Sequence, residues 1–339
     1  MLDEREIVCY SSLKHKAFCY ITKGMDFMNF NSLLVRMLPY FPKKFVGLIS
    51  KRYIAGESLE DAVRKTREIN QRGACVTIDY LGEFVRDMAT VEEMTKTYSD
   101  TLDAIQKNGL DATISLKPTS FGYLFDKEIC FQSIYKIVKK AHEYNNRVTI
   151  DMENSPLTDF TLEMYDRLRK EFPDSIGTVI QACLKRTLAD SQKIAQGGFA
   201  HLRLCKGIYI ESESIAYRKT EQIHDSYLKA LDGLFSQKAY IGIATHNNDL
   251  LSRALKLIEK HNLRQDQYEF QMLLGVRPLL LDRLIEKGHK VRVYVPFGTD
   301  WYAYSLRRLK ENPSIAGNVM KDMIPGFLWS ERMPQGLME

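Results

Sequence analysis

The residues best equipped for chemistry stand at the ends of short β-branched runs. Lys117 closes ATISLK, Asp151 is next to last in RVTIDM and Gln181 is next to last in GTVIQA. Arg203 and Lys206 fall in HLRLCK, Thr245 closes IGIAT just before His246 and Asn247, and Tyr294 is next to last in VRVYV. The set is mostly cationic or neutral donors with one clear carboxylate, Asp151. It suits a large anionic ligand, because cations and aligned amides recognise phosphate or carboxylate oxygens. Each residue also has a plainer use. Lys117 can be a surface charge, Asp151 a helix-cap partner for Ser155, and His246 a core histidine or a turn residue with Asn247 and Asn248.

A second group lies near the C-terminus, where DWYAYSLRRLKENP reads as a helix stopping near Pro313. Tyr304, Arg307, Arg308 and Glu311 are spaced i, i+3, i+4 and i+7 and share one face. Two adjacent guanidiniums hold a carboxylate from two directions, where lysine supplies a point charge. The alternative is an exposed helix with an Arg307–Glu311 ion pair worth only about 0.3–0.5 kcal/mol, and composition leaves both readings open. The six cysteines, at 9, 19, 75, 130, 183 and 205, include no C-x-x-C pair and no zinc spacing. They read as free thiols of a reducing compartment, and no metal site is expected from them.

These side chains need a frame that brings strand ends together. The full series of runs is ACVTID, ending at Asp79, ATISLK, RVTIDM, GTVIQA, HLRLCK, IGIAT, YEFQML, ending at Leu273, and VRVYV, ending at Val295. Between them lie stretches with helical spacing, such as DKEICFQSIYKIVKKAHEY and NDLLSRALKLIEKH, long enough for the crossover that parallel strands require. Eight such units predict an α/β fold, a (β/α)8 TIM-type barrel, a fold typically of about 250 residues whose site lies at the C-terminal ends of the strands. An open doubly wound sheet is the alternative, but no glycine-rich turn follows the first run. The expected organisation is an N-terminal helical arm over residues 1–70, the barrel over 71–325 and a C-terminal tail over 326–339.

The chain's 339 residues, 45% hydrophobic and 27% charged, are of ordinary globular composition, which excludes disordered, collagenous and disulfide-stapled classes. The net charge of +5 is spread along the chain and makes no case for nucleic acid. MLDEREIVCY has neither a secretory leader nor a transit pattern, so a cytoplasmic chain is expected. The apolar stretch NSLLVRMLPYFPKKFVGLI is broken by Arg36, Pro39, Pro42 and two lysines, too interrupted for the roughly 20 apolar residues of a membrane span. Residues 25–50 remain a candidate for peripheral contact with the inner face of a membrane, against the plainer reading of a helix packed on the main domain.

Along almost its whole length the chain resembles the proline dehydrogenases, especially the monofunctional bacterial type. IAGES and DYLGE are similar to the family's N-terminal landmarks. SLKPTSFG, IDMENS, VIQACLKRT, LRLCKGIYI, IATHN, YEFQMLLGVRP and YVPFGTDWYAYSLRRLKENP resemble its successive barrel motifs, in order and in register with the eight runs. The resemblance implies a (β/α)8 barrel with non-covalent FAD and a last helix laid over the substrate. The implied reaction is oxidation of L-proline to 1-pyrroline-5-carboxylate by hydride transfer from the ring carbon next to nitrogen. It would be the first step of proline catabolism to glutamate, with electrons passed to a quinone. Carried across by motif, Asp151 and Arg203 are catalytic, with Arg203 also close to the flavin. Lys117, Arg307 and Arg308 bind the proline carboxylate, and Leu273, Tyr294 and Tyr304 wall its ring. Met152, Gln181, Lys206, Gly207, Ile208, Thr245, His246, Asn247 and Glu311 line the cofactor. Pro118, where leucine is frequent, and Leu274, where an aromatic or histidine is often found, depart from the pattern.

Three rivals stand beside this reading. A Schiff-base aldolase would use a desolvated Lys117 or Lys206 as nucleophile, but leaves the paired arginines unexplained. A non-catalytic barrel would only bind an anion or a partner. A hydroxyproline dehydrogenase is the nearest rival within the family. The sequence does not set the oligomeric state.

Overall fold

The computed structural model describes residues 47, 50, 52–198, 200–302, 304–306 and 333–338. They belong to two compact units, residues 51–301 with 330–339, and residues 1–50 with 302–329. In the second unit the Ser50 hydroxyl donates to that of Ser305 at 2.7 Å, and Tyr304 is buried.

The first unit is a closed barrel of eight parallel strands in sequential order, as the rhythm of runs predicts. Helix α1 (Leu59–Gln71) precedes β1 (Cys75–Tyr80), followed by α2 (Met88–Lys107), β2 (Ala112–Leu116), a single 3-10 turn (Pro118–Phe121) and α3 (Lys127–Glu143). Then come β3 (Val148–Ile150), α4 (Ser155–Glu171), β4 (Ile176–Gln181), α5 (Thr187–Gln196), β5 (His201–Cys205) and α6 (Thr220–Ser236). The last units are β6 (Tyr240–Ala244), α7 (Asn248–Lys260), β7 (Tyr268–Leu273), α8 (Pro278–Glu286) and β8 (Val291–Phe297). β1 closes on β8 with Thr77 opposite Tyr294 and Asp79 opposite Pro296.

Alternation along the strands explains why this sequence makes a barrel with a reactive interior. One set of alternate residues, including Val76, Ile78, Ile114, Leu116, Val148, Ile150, Leu202, Leu204, Ile241, Ile243, Val291, Val293 and Val295, is fully buried and apolar. It faces the helices, and burial of each such side chain contributes about 1.5–3 kcal/mol. The other set points inward and is unusually polar for a barrel interior, which branched residues ordinarily fill. Thr77, Asp79, Ser115, Thr149, Gln181, Arg203, Glu269, Gln271 and Arg292 are all buried there. Their mutual hydrogen bonds across the barrel are what make that burial tolerable.

The helices begin where their caps direct. Asp126 accepts from the Glu128 and Ile129 amides at the start of α3, whose Cys130, Ile134, Ile137, Val138 and Ala141 then recur at helical spacing and are buried. α1 opens with a capping box between Ser58 and Asp61 and packs on β1 and β8. Five strands end sooner than their runs suggest, β2 at Leu116, β3 at Ile150, β4 at Gln181, β5 at Cys205 and β6 at Ala244, which leaves Lys117, Asp151, Lys206 and Thr245 just beyond the sheet. Among the described residues no helix is long and apolar enough to cross a membrane.

Candidate active site

The expected single carboxylate at the strand ends is corrected by the structure, which gathers three around one lysine. Lys117 follows β2 directly, and its ammonium donates to both oxygens of Asp79 at 2.8 and 3.0 Å. Asp151 Oδ2 lies at 3.7 Å and Glu83 Oε1 at 4.0 Å. Lys117 is not a surface charge, since its side chain is only 13% exposed and that of Asp79 is 0% exposed. Burial opposes the charged ammonium, but Asp79, Asp151 and Glu83 override it and hold Lys117 well above the usual lysine range. Asp79 and Glu83 both come from DYLGE at the end of β1, and Glu153 follows Asp151 by two residues.

Asp151 lies one residue past β3, its amide still donating to Leu116 O at 2.8 Å. Oδ1 accepts from the Ser115 hydroxyl at 2.7 Å and from an Arg203 guanidinium nitrogen. Oδ2 accepts from the Tyr294 hydroxyl at 2.8 Å. Burial pushes this carboxyl up, but Arg203 and Lys117 pull it below its ordinary value. Burial and the Asp151 charge leave Asp79 raised, so of the two carboxylates sharing one ammonium it is the weaker acid. Asp151 is also not the cap of α4: Glu211 accepts from the Ser155 amide and hydroxyl at 2.7 and 2.6 Å. The Arg203 guanidinium stacks 5.2 Å over the Tyr294 ring and donates through Nε to Gln271 at 2.6 Å.

Pro118 follows Lys117 directly. It opens the short 3-10 turn and offers no amide, and the next residue supplies the anchor instead. The Thr119 amide and hydroxyl donate to the two oxygens of Glu153 at 3.0 and 2.7 Å. Glu153 is buried, and that burial pushes its carboxyl up to about 7. Leu274 is half-buried, its amide bound to Tyr294 O at 3.1 Å.

The ends of β4 to β7 are poorer in carboxylates. Gln181 is buried and donates to Glu153 O at 2.9 Å. Gly207 has φ +95°, and a β-carbon there would overlap Cys183 and stand 3.2 Å from Gln181 Oε1, so only glycine lets the loop lie this close. Lys206 and Ile208 beside it are exposed, and Met152 is buried. Thr245 Oγ1 accepts from the Asn247 amide at 3.2 Å, and Asn247 Oδ1 caps α7 by accepting from the Leu250 amide at 3.0 Å. His246 Nε2 accepts from the Leu273 amide at 3.1 Å. Burial, with Arg277 and Lys206, pushes its imidazolium down to about 4, so the ring is neutral and its proton sits on Nδ1 as a donor. Leu273 is half-buried.

This donor set fits a bound dinucleotide. Lys206 and Arg277 offer positive charge, His246 Nδ1 a neutral donor, and Gly207 removes bulk where a large ligand would approach. The carboxylate-rich side around Lys117 fits a different ligand, one that carries both an ammonium and a carboxylate. Tyr304 belongs to the second unit, and Arg307, Arg308 and Glu311 lie outside the described residues. Sequence reasoning missed Asp79, Glu83, Glu153 and the inward pair Glu269 and Gln271. The alternation Glu269, Gln271, Leu273 in YEFQML was a signal for the last two.

Known proteins resemble the chain at several levels. Proline dehydrogenase 1 of Bacillus subtilis subsp. natto is 35% identical over 292 residues, covering 85% of this chain and 95% of that protein. Proline dehydrogenase of Deinococcus radiodurans is 31% identical over 282 residues, covering 82% of this chain and 91% of its own. A crystal structure of proline utilization A from Bdellovibrio bacteriovorus superposes with a TM-score of 0.74 at 24% identity, over 80% of this chain and 33% of that one, and supports the fold alone. The family model described as Proline dehydrogenase spans residues 62–321, the whole strand-and-helix series that builds the rim, and the chain belongs to the proline dehydrogenase family.

Proposed function

We propose that the protein oxidises L-proline to 1-pyrroline-5-carboxylate with non-covalently bound FAD and passes the electrons to a quinone. The observation that carries this reading is the pairing at the rim of Lys117 and Arg203 with Asp79 and Asp151, all buried or nearly so. Free proline is a zwitterion, and a dry site that holds fixed charges of both signs can orient it without bulk water. Lys117, with Arg307 and Arg308, would take the carboxylate. Leu273, Tyr294 and Tyr304 would wall the ring. Met152, Gln181, Lys206, Gly207, Ile208, Thr245, His246, Asn247 and Glu311 would hold the cofactor, which when bound accepts the hydride and supplies the redox chemistry.

What this chain's own groups would do follows from their charges. Asp151, kept ionised by Arg203 and Lys117, anchors the guanidinium and the Tyr294 hydroxyl in one arrangement. Arg203 then presents a fixed cation where negative charge develops during reaction, the kind of preorganised stabilisation that favours the transition state over the ground state. Peripheral contact of residues 25–50 with a membrane would bring the site near a lipid-soluble acceptor.

The test is the visible spectrum of the purified protein. A flavin spectrum that bleaches on anaerobic addition of L-proline, with the colour released to the supernatant by acid, is the expected result. A colourless protein, or one bleached better by trans-4-hydroxy-L-proline, overturns the proposal.

A further inference from the structure

Gln271 has no part in the roles just described, yet it is held on every side. Its Oε1 accepts from Arg203 Nε at 2.6 Å and its Nε2 donates to Glu269 Oε1 at 2.7 Å. Both partners are one-sided, because a guanidinium only donates and an ionised carboxylate only accepts. Of the two flips of the amide, one alone satisfies both. Glu269 is itself fixed, accepting from Arg292 Nε at 2.7 Å and from the Tyr240 hydroxyl at 2.9 Å. Burial pushes its carboxyl up, but Arg292 overrides this and keeps it well below the ordinary carboxylate range.

Packing adds an independent constraint. A β-carbon at Gly242 on β6 would overlap the Gln271 side chain, whose Nε2, Cδ and Cγ are its nearest neighbours. Gly242 is not among the positive-φ glycines, so the missing side chain there serves space rather than backbone conformation.

The geometry points to Gln271 as the positioning residue for Arg203, a buried relay through which the Glu269–Arg292 pair sets the plane of the guanidinium at the rim. With Asp151 alone, Arg203 could satisfy one carboxylate in several rotations about its Nε. The second bond, from Nε to Gln271, leaves one. This inference rests on the proposed role of Arg203 beside the reacting cofactor.

The test uses the full-length protein with Gln271→Met, Gln271→Glu and Gly242→Ala. In the cofactor-free protein, hydrogen exchange of the Arg203 Nε–H, assigned by its loss in Arg203→Lys, is expected to be slow in the parent and at least tenfold faster in Gln271→Met and Gly242→Ala. In the loaded protein, Gln271→Met should slow anaerobic flavin reduction at saturating proline by roughly ten- to a hundredfold, as a small misplacement of a catalytic group does. The dissociation constant for proline should stay within twofold, and the flavin midpoint potential should move to a more negative value.

Gln271→Glu has its own signature. Protonated, the introduced carboxyl donates to Glu269 and accepts from Arg203 as the amide does; ionised, it opposes Glu269. Its direct charged partners are Glu269 and Arg203; Arg292, Lys290, Tyr240 and His201 act on Glu269, and Asp151, itself beside Lys117, holds Arg203. Two facing carboxylates raise the pKa of one, so this variant should reduce its flavin at near the parental rate at acid pH and lose that rate as pH rises. Should Gln271→Met not fold, the Gln271→Glu profile decides. An Nε–H exchange rate unchanged in Gln271→Met or Gly242→Ala, or a Gln271→Glu profile identical to the parent, overturns the inference. A parent that proline does not bleach overturns the proposed function instead, and the exchange measurement still decides what Gln271 does.

Discussion

Replacing Lys117 with methionine removes the ammonium between Asp79 at 2.8 and 3.0 Å, Asp151 at 3.7 Å and Glu83 at 4.0 Å. Asp79, fully buried, keeps the Tyr98 hydroxyl at 3.2 Å but loses its countercharge. Breaking a buried pair from one side costs about 3–5 kcal/mol, mostly because a charge is left uncompensated. Asp79→Asn is milder, since Lys117 retains Asp151 and Glu83, and should cost about 1–3 kcal/mol. The double variant leaves no stranded charge, so its loss should fall short of the sum by about 2–3 kcal/mol. In Lys117→Met the Asp79 carboxyl, already raised by burial, moves further above the ordinary carboxylate range. The folded state then binds a proton that the unfolded state has released, so the variant's deficit grows as pH rises from about 4 through the new pKa. The assay is urea unfolding of the four cofactor-free proteins at pH 4.5 and pH 7. Strictly additive losses, or a Lys117→Met deficit equal at both pH values, would refute the reasoning. Proline affinity should stay low in the double variant, which separates the stability role of Lys117 from its binding role.

Tyr294→Phe removes the hydroxyl that donates to Asp151 at 2.8 Å while keeping the ring under Arg203, and should cost about 1.5–3 kcal/mol of stability in urea unfolding. Loss of that donor should also raise the Asp151 pKa, so an unchanged unfolding midpoint would count against the contact. Burial pushes the Glu153 carboxyl up to about 7 from an ordinary glutamate value of 4.5, so the folded state holds the extra proton between these values and stability falls as pH rises through them. The parent should therefore lose on the order of 3 kcal/mol relative to Glu153→Gln across that window, with the difference constant above it; parallel pH curves for the two proteins would sink this. Arg203→Ala should lose anaerobic flavin-reduction rate far more than proline affinity, because its charge is needed only as hydride arrives, and a parental reduction rate in the variant would remove it from the reaction.

The eight β-branched runs and the helical stretches between them were legible in the sequence because both periods are local, two for strands and 3.6 for helices. That Lys117 and Asp151 stand at the rim was legible for the same reason: each follows the end of a strand, and the strand's end is the active end of a barrel, whatever its partners are. What each charge binds was not legible. Lys117 pairs with Asp79, 38 residues away, and Arg203 with Gln271, 68 residues away, across a barrel interior that exists only once β1 meets β8. Local pattern says that Asp79 and Lys117 each end a strand; it cannot say that two inward side chains on neighbouring strands will share one dry volume. Asn247 shows the reverse case, since its oxygen caps α7, a local use that the sequence allowed and the resemblance passed over. The sequence by itself determined the strands, their order and the chemical types at the rim, because these depend on neighbours within a few residues. Only the tertiary structure decided which carboxylates are buried, which share one ammonium and which cation each one holds, because burial and pairing are properties of the closed barrel.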